Sequence, residues 1–572
     1  MKSTRRILTA CLLALGLAPM AASAQASAPG AAGAQGEFIE SVDVNVVNID
    51  VYVTDKKGNR VTDLKKDDFE VFENGKKVTV TNFYAVEGGK AMLVDDAPPP
   101  AVPAPPGARP APAAQPALPE DQRLRLIVYI DNFNIHPFNR NRVMRELRAF
   151  LGQKLNRDDQ VMLVTYDRSL KVRRTFTSDK DLISAGLLEL EKVSGHAVHH
   201  TSERRDVLRN IDESRSAAEA LNYARSYAES SFNDLSFSID ALKGLVESLA
   251  GMPGRKAILY VGDGLQMIAG EDVFYAVQSK YGEQATGMTV AMQYDSSRRF
   301  NELAAQANAN RVTFYTIDAA GLRVYSSVSA ENATAGQGVY VDSIQISNLQ
   351  APLQMLAEKT GGMAIINANR VMPHLEKVAN DFGSYYSLGY SPTHYGDGRF
   401  YKLEVKVKRK GLNVRHREGY RDKSPESRMN DGTLAVLNFP FEDNKFGVEL
   451  EFGQMTPNDN GLYMVQVLIK IPMGKLVMVP REQTHEARVR LFIAAMDDEG
   501  GMSEVQQVQL PISVPVAEVQ AANGKHYSYS VNLLMRRGEQ KVAVGVRDDV
   551  AGESSFVSRV LRVGPTAVSS GH

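Results

Sequence analysis

The sequence predicts an α/β fold, an open and mostly parallel sheet with helices on both faces, flanked by β-sandwich domains. Three observations predict it. Between residues 121 and 391, short apolar runs alternate with amphipathic stretches, the spacing that parallel strands and their helical crossovers require. Residues 38–89 alternate apolar and polar side chains with period two, as half-buried strands do. Residues 384–422 and 430–565 return to that period, broken by Gly, Asp and Asn turns.

In chain order, the first segment reads as an export signal. Lys2, Arg5 and Arg6 form a basic start, Ile7 to Ala21 is apolar but short for a bilayer span, and Ala22-Ser23-Ala24 supplies the small residues of a cleavage site. A Sec-type signal peptide cut after Ala24 predicts a secreted, periplasmic or envelope protein. The rival is a lipoprotein: Leu8-Thr9-Ala10-Cys11 resembles a lipobox, although the apolar run continues through Leu12-Leu13-Ala14-Leu15. Removal of residues 1–24 takes away three basic residues and no acidic ones, so the net charge of −1 becomes −4, and Cys11, the single cysteine, goes with them. No later segment reaches the ~18 apolar residues of a membrane-spanning helix.

Val42, Val44 and Val46, then Val47, Ile49, Val51 and Val53, predict strands with a register shift between Val46 and Val47. Asn74-Gly75 is a two-residue hairpin signal. So few strands make an incomplete sandwich; residues 38–89 are expected to pair with 384–422, the α/β domain being inserted between them. Residues 90–120 form a Pro/Ala-rich linker; ten of the 25 prolines lie in 97–119, favouring an extended, solvated spacer. Within 121–391, strands are expected at Leu124–Ile130, Gln160–Tyr166, Lys256–Gly262, Val312–Asp318 and Met363–Asn367. Helices are expected at Asp179–Val193, around Ser214–Ala250, at Phe300–Ala309 and at Leu349–Thr360, with insertions at 195–235 and 322–347. Residues 430–565 predict a separate C-terminal β-sandwich.

Composition excludes several classes. Sixty-six basic against 67 acidic residues leave no cationic excess for nucleic acid. One cysteine permits neither a disulfide framework nor a thiolate metal site. The chain contains no HExxH helix, GxSxG elbow or Walker A loop, so a non-catalytic role is expected.

Asp131 directly follows the apolar run Leu126-Ile127-Val128-Tyr129-Ile130, and Asp263 follows Ile258-Leu259-Tyr260-Val261-Gly262. Both therefore fall at the carboxyl ends of strands, where open α/β sheets bind ligands. With Val53-Thr54-Asp55-Lys56-Lys57-Gly58, Asp67-Asp68-Phe69-Glu70-Val71-Phe72-Glu73-Asn74-Gly75, Gly254-Arg255-Lys256-Ala257-Ile258-Leu259, Tyr386-Ser387-Leu388-Gly389-Tyr390-Ser391-Pro392 and Arg417-Glu418-Gly419-Tyr420, residues 43–422 resemble a von Willebrand factor type A (VWA) domain protein. More narrowly, they resemble the VWFA-related domain common in Acidobacteria. The resemblance implies a Rossmann-like sheet, a protein-binding role and a metal-ion-dependent adhesion site holding Mg²⁺ through Asp-x-Ser-x-Ser, a Thr and a further Asp. On this chain those positions are Asp131, Phe133, Ile135, Ser236 and Asp263. Phe133 and Ile135 replace the two serines and offer no oxygen, so a vestigial site without metal is expected, Asp131, Ser236 and Asp263 being the remaining candidates.

The partner-binding face is accordingly expected at Asp131, Asn132, Phe133, Asn134, Ser236 and Asp263, with a protein partner and no cofactor. Asp131 and Asp263 are also read as helix caps. Phe133 and Ile135 admit two readings, an exposed apolar patch or buried filling. Two other functions stand beside this one: a Mg²⁺-dependent adhesin with an altered ligand set, and a secreted hydrolase. His196, His199 and His200 read as a solvated loop, Lys406–Arg421 as a basic strand face, and Asp497-Asp498-Glu499-Gly500 and Asp548-Asp549 as turns.

Overall fold

Val128, Tyr129 and their neighbours leave no side chain of Leu124–Asp131 exposed, as a strand covered by helices on both faces must be. It lies inside a six-stranded sheet ordered Ala364–Ile365, Val312–Asp318, Arg255–Gly262, Leu124–Asp131, Gln160–Tyr166 and Leu170–Thr177. The first five strands run parallel and the sixth antiparallel. The computed structural model describes residues 46–87, 90–93, 123–155, 159–195, 197–282, 285–323, 335–439, 441, 443–458 and 460–564. The signal segment, Val42 and Val44 of the first expected strand, and most of the Pro/Ala-rich linker lie outside them.

Helix Pro137–Lys154 packs Val143, Leu147, Phe150 and Leu151 on the sheet, and helix Lys180–Leu190 packs Ile183 and Leu187 beside them. The 32-residue helix Ala217–Ser248 turns Leu235, Ser238, Ile239, Leu242 and Leu245 inward. Several elements differ from expectation, strand Lys90–Leu93 at the start of the expected linker among them. The stretch expected as a loop at His199 and His200 is helix Ala197–Glu213, while His196 lies outside the described residues. The helix expected from Leu349 begins at Ala335. The edge strand Leu170–Thr177, mostly exposed, has too few apolar residues to announce itself.

Two sheets stack beneath this domain. One is ordered Asn413–Arg415, Val47–Thr54, Tyr385–Tyr390, Asn82–Glu87 and Lys90–Leu93; the other Gly419–Arg421, Phe400–Val407, Phe69–Glu73 and Lys76–Val78. Each sheet mixes strands from before and after the α/β segment. Ile49, Val51, Phe69, Val71, Phe83, Leu388, Leu403 and Val405 form the core between them. Asn74 and Gly75, at φ 46° and 79°, make the tight hairpin their sequence requires.

The chain divides into two compact units, Asn45–Ser424 and one containing Pro425–His572. In the latter, Glu449–Pro457, Tyr463–Pro472 and His526–Met535 form one sheet, and Val479–Pro480, Thr484–Asp497, Gly538–Asp548 and Ser554–Val563 form another, Gln506–Pro515 pairing with Thr484–Asp497. Val467, Ile469, Leu491, Val542 and Val544 fill the space between. Helix Pro425–Asn438 sets Met429 and Val436 against Phe492 and Phe556. Among the described residues no helix is long and apolar enough to cross a membrane.

Candidate functional site

After Leu124–Asp131 the chain adds strands on one side of it, then returns and adds Arg255–Gly262 and Val312–Asp318 on the other. That reversal opens a crevice at the carboxyl ends of the two central strands, the usual ligand position in such sheets. Asp131 ends the first and Asp263 directly follows the second.

Asp131 is buried, and both its oxygens are used. Oδ1 accepts the Asn134 backbone N–H at 3.0 Å, while Oδ2 accepts the Asn134 side-chain amide at 3.0 Å and the Tyr260 hydroxyl at 2.6 Å. Burial pushes its carboxyl above the usual range, and the bonds from Tyr260 and Asn134 pull it partly back. Gly262 makes room for this arrangement: a Cβ there would lie 2.7 Å from the Tyr260 hydroxyl. The Asn134 amide also reaches Ser238 Oγ at 3.3 Å, so an N–H donor sits between a carboxylate and a hydroxyl. Asn132 is buried and gives its amide to Ser194 O at 2.8 Å.

Phe133 and Ile135 are 1% and 0% exposed. Of the two readings, burial is the one realised: Phe133 packs edge-on against Tyr166 and His200, and Ile135 joins the main core. Ser236 faces away from Asp131; its hydroxyl accepts from Arg299 Nη1 at 2.5 Å. Two helical positions later, about 200° around the axis, Ser238 is the hydroxyl that faces the loop.

Asp263 Oδ2 accepts the His136 backbone N–H at 2.8 Å and the Asn139 amide at 3.0 Å. It thus caps the start of helix Pro137–Lys154 from a neighbouring strand end. Its other oxygen, Oδ1, is buried without a hydrogen-bond partner. Burial pushes the carboxyl up to about 6, against the pull of His136 N–H, Asn139 and Arg323. A third acid completes the row: buried Asp318, at the end of its strand, accepts Arg323 at 2.9 Å and Gln350 at 2.8 Å. Its run, Phe314-Tyr315-Thr316-Ile317, carries the same signal as those before Asp131 and Asp263.

Beside Asp263 lies a cleft of about 170 Å³, with Asn134, His200, Arg204, Asp234 and Arg323 in its wall. Both arginines are paired, Arg204 with Asp272 at 2.6 Å and Asp342 at 3.3 Å, Arg323 with Asp318. His200 Nε2 is buried and unpartnered, and burial lowers its pKa. Phe138, Phe237 and Leu322, exposed by 70%, 64% and 62%, stand within three residues of cleft-lining His136, Asp234 and Arg323.

The donors left here do not fit the Mg²⁺ ligand set that the resemblance implies. Asp131 is saturated by two side chains, Ser236 is occupied by a guanidinium, and hydrocarbon fills both serine positions. Mg²⁺ demands near-ideal octahedral oxygen geometry, which these residues do not offer.

Five parallel strands with an antiparallel edge strand, helices on both faces and strand-end acids at the point of reversal decide the architecture. The fold is that of a von Willebrand factor type A domain. No family model and no curated protein matches the chain. Solved structures similar to it include a von Willebrand factor type A protein from Catenulispora acidiphila (9% identity, 77% of this chain, 66% of that one, TM-score 0.20). They also include BatB from Bacteroides thetaiotaomicron (13% identity, 46% and 96%, TM-score 0.22). A third is the manganese-loaded TRAP protein of Plasmodium vivax (9% identity, 52% and 95%, TM-score 0.24). Of the six residues expected on the VWA binding face, Asn134, Ser236 and Asp263 keep accessible surface, whereas Asp131, Asn132 and Phe133 lie beneath, Asp131 holding Asn134 in place.

Proposed function

We propose that this chain is an exported, non-catalytic protein that binds another protein through the cleft face of its VWA domain, without a divalent cation at that face. The observation that carries the reading is Asp263 Oδ1, an acceptor without a partner in the wall of this cleft. Leaving such an acceptor unsatisfied costs about 1–3 kcal/mol, which a donor from a partner recovers. A cleft of about 170 Å³ holds one side chain, and exposed Phe138, two residues from cleft-lining His136, offers apolar contact of the kind interfaces need. Export rests on the basic start, apolar run and small-residue cleavage site of residues 1–24.

The test is capture from the native cell envelope by the mature chain, in buffers with and without Mg²⁺. The expected result is the same captured protein in both, reduced at least tenfold by Asp263→Asn and by Phe138→Ser. Capture that requires Mg²⁺, or that survives both substitutions, rejects this face as the binding site.

A further inference from the structure

At one end of the sandwich, away from the VWA cleft, strand Phe69–Glu73 finishes beside the start of Phe400–Val407 and the end of Gly419–Arg421. The segment 391–399, leaving strand Tyr385–Tyr390, crosses this end. It bends at Gly396 and Gly398, whose φ values of 65° and 73° lie in the left-handed region. Backbone bonds from Gly398 N–H to Asp422 O at 2.7 Å and from Asp422 N–H to Arg399 O at 2.9 Å fix it against Asp422.

The fold thereby gathers His394, Asp397 and Asp422, whose ligand atoms all lie within 4.8 Å of one another. The imidazole is held on three sides. Its ring stacks on Tyr401 at 3.6 Å and 4°. Nε2 lies 3.2 Å from Glu73 Oε2, and Nδ1 lies 2.9 Å from Asp422 Oδ2. Glu73 is itself oriented by hydroxyls donated to Oε1 from Tyr390 at 2.5 Å and Tyr420 at 2.7 Å. Tyr401 donates to Asp397 Oδ2 at 2.5 Å.

A carboxylate only accepts, so the nitrogen facing Glu73 carries a hydrogen. The other nitrogen then faces a second carboxylate across 2.9 Å, and a cation has to lie between them, either a proton or a metal. Three carboxylates, Glu73, Asp397 and Asp422, converge on this one imidazole. Arg399, which is 81% exposed, reaches Asp397 only at 4.0 Å. The Asp422 side chain is fully buried, where a negative charge draws a cation most strongly.

We infer that His394 Nδ1, Asp397 and Asp422 bind one divalent transition metal of the zinc class, with Glu73 holding the ring from behind. One imidazole nitrogen with carboxylate oxygens is a zinc donor set. The Glu73–His394–metal chain is the outer-shell arrangement that orients metal-binding histidines. Zinc bonds of about 2.0–2.1 Å at tetrahedral angles set ligand atoms roughly 3.3 Å apart, so Nδ1 and Asp422 Oδ2 separate by a few tenths of an ångström. The metal ties segment 391–399 to the strand ends beside it, with water completing the fourth position.

Calorimetric titration of the full mature chain with Zn²⁺, after chelator treatment and its removal, tests this. One equivalent is expected, accompanied by a rise in Tm. His394→Ala and Asp422→Asn are expected to abolish binding, and Glu73→Gln to weaken it 10- to 100-fold, the usual outer-shell effect. Asp397→Asn, at the accessible edge of the cluster, preserves folding and is expected to weaken binding at least tenfold. Asp131→Asn, in the VWA crevice, is expected to leave it unchanged. No zinc uptake by the wild-type chain, or uptake that Asp397→Asn and His394→Ala leave intact, overturns the inference and makes the cluster a proton-bridged clamp.

Discussion

Asp263 has one oxygen bonded twice and the other bonded to nothing. Its carboxyl, pushed up to about 6, titrates above the ~3.9 of an aspartate in the unfolded chain. Folding therefore binds a proton between those values, and the stability this contributes is full below about pH 4 and lost as the pH rises through about 6. Asp263→Asn removes the charged form while keeping an oxygen for His136 N–H and Asn139. It is expected to stabilise the chain at about pH 7.5 by up to about 3 kcal/mol, with the gain vanishing near about pH 4; urea denaturation at both pH values measures it. A gain independent of pH shows that charge is not what strains this residue. Both strand-end acids are legible because each ends an apolar run. The resemblance points to Ser236 as the hydroxyl of the site. Helical phase distinguishes the two serines: Leu235, Ser238, Ile239, Leu242 and Leu245 share the buried face, which excludes Ser236. Asp318 carries the same strand-end signal, but the resemblance directs attention to two acids and leaves the third aside.

At the scale of elements, strands buried on both faces are the most legible, since continuous Val, Ile and Leu admit few alternatives. Helix Ala197–Glu213 is not. Its polar sequence offers Val207, Leu208 and Ile211 as its apolar stripe, too narrow to stand out against His199, His200 and the charges around them. The helix is held by what it packs on: Ala220, Ala224 and Ala228, four residues apart along Ala217–Ser248, are fully buried with Ile211 and Val273. The small side chains let neighbouring backbone come close; a Cβ on Gly270 would stand 3.0 Å from that of Ala228. Ala228→Leu is therefore expected to destabilise by about 1–3 kcal/mol through overpacking, read as a lower urea midpoint at unchanged slope. An unchanged midpoint shows that this seam has slack. Helix Pro425–Asn438, in a region expected to be strands, illustrates the same limit, because its apolar face is completed by Phe492 and Phe556 from distant strands.

For the whole of Asn45–Ser424, the decisive residue is Arg255, the first residue of a central sheet strand. It is buried, with Nε 3.0 Å from Asp50 Oδ2, Nη2 donating to the Tyr52 hydroxyl at 2.7 Å, Nη1 donating to Phe382 O at 3.1 Å, and the guanidinium 3.7 Å from the Tyr385 ring centre. Arg415 repeats the tie from the sandwich side, with two bonds to Asp381 at 2.7 and 2.8 Å. Gly254-Arg255-Lys256, one of the segments that carry the family resemblance, thus has a physical task at the junction of sheet and sandwich. Arg255→Ala strands Asp50 and Tyr52 and is expected to cost about 3–5 kcal/mol. Calorimetry is expected to show a large fall in Tm for the α/β and sandwich parts together; a single melting step at the wild-type temperature rejects this junction as the link between them. The sequence conveys that neither strand set is sufficient alone, but not the partners of Arg255, of which Phe382 and Asp50 stand 127 and 205 positions away along the chain.

The seat of Arg255 also settles how the domain bears load. Leu124 and Phe382, where the chain enters and leaves the α/β segment, both line the small cavity around Arg255 at the base of the sheet, while Asp131 and Asp263 sit at the opposite rim. A pull exerted by anything gripped at that rim runs lengthwise down Leu124–Asp131 and Arg255–Gly262 into their anchorage. The seven paired positions of these two parallel strands join them into one strut, so a lengthwise load is shared between both rather than unzipping them pair by pair.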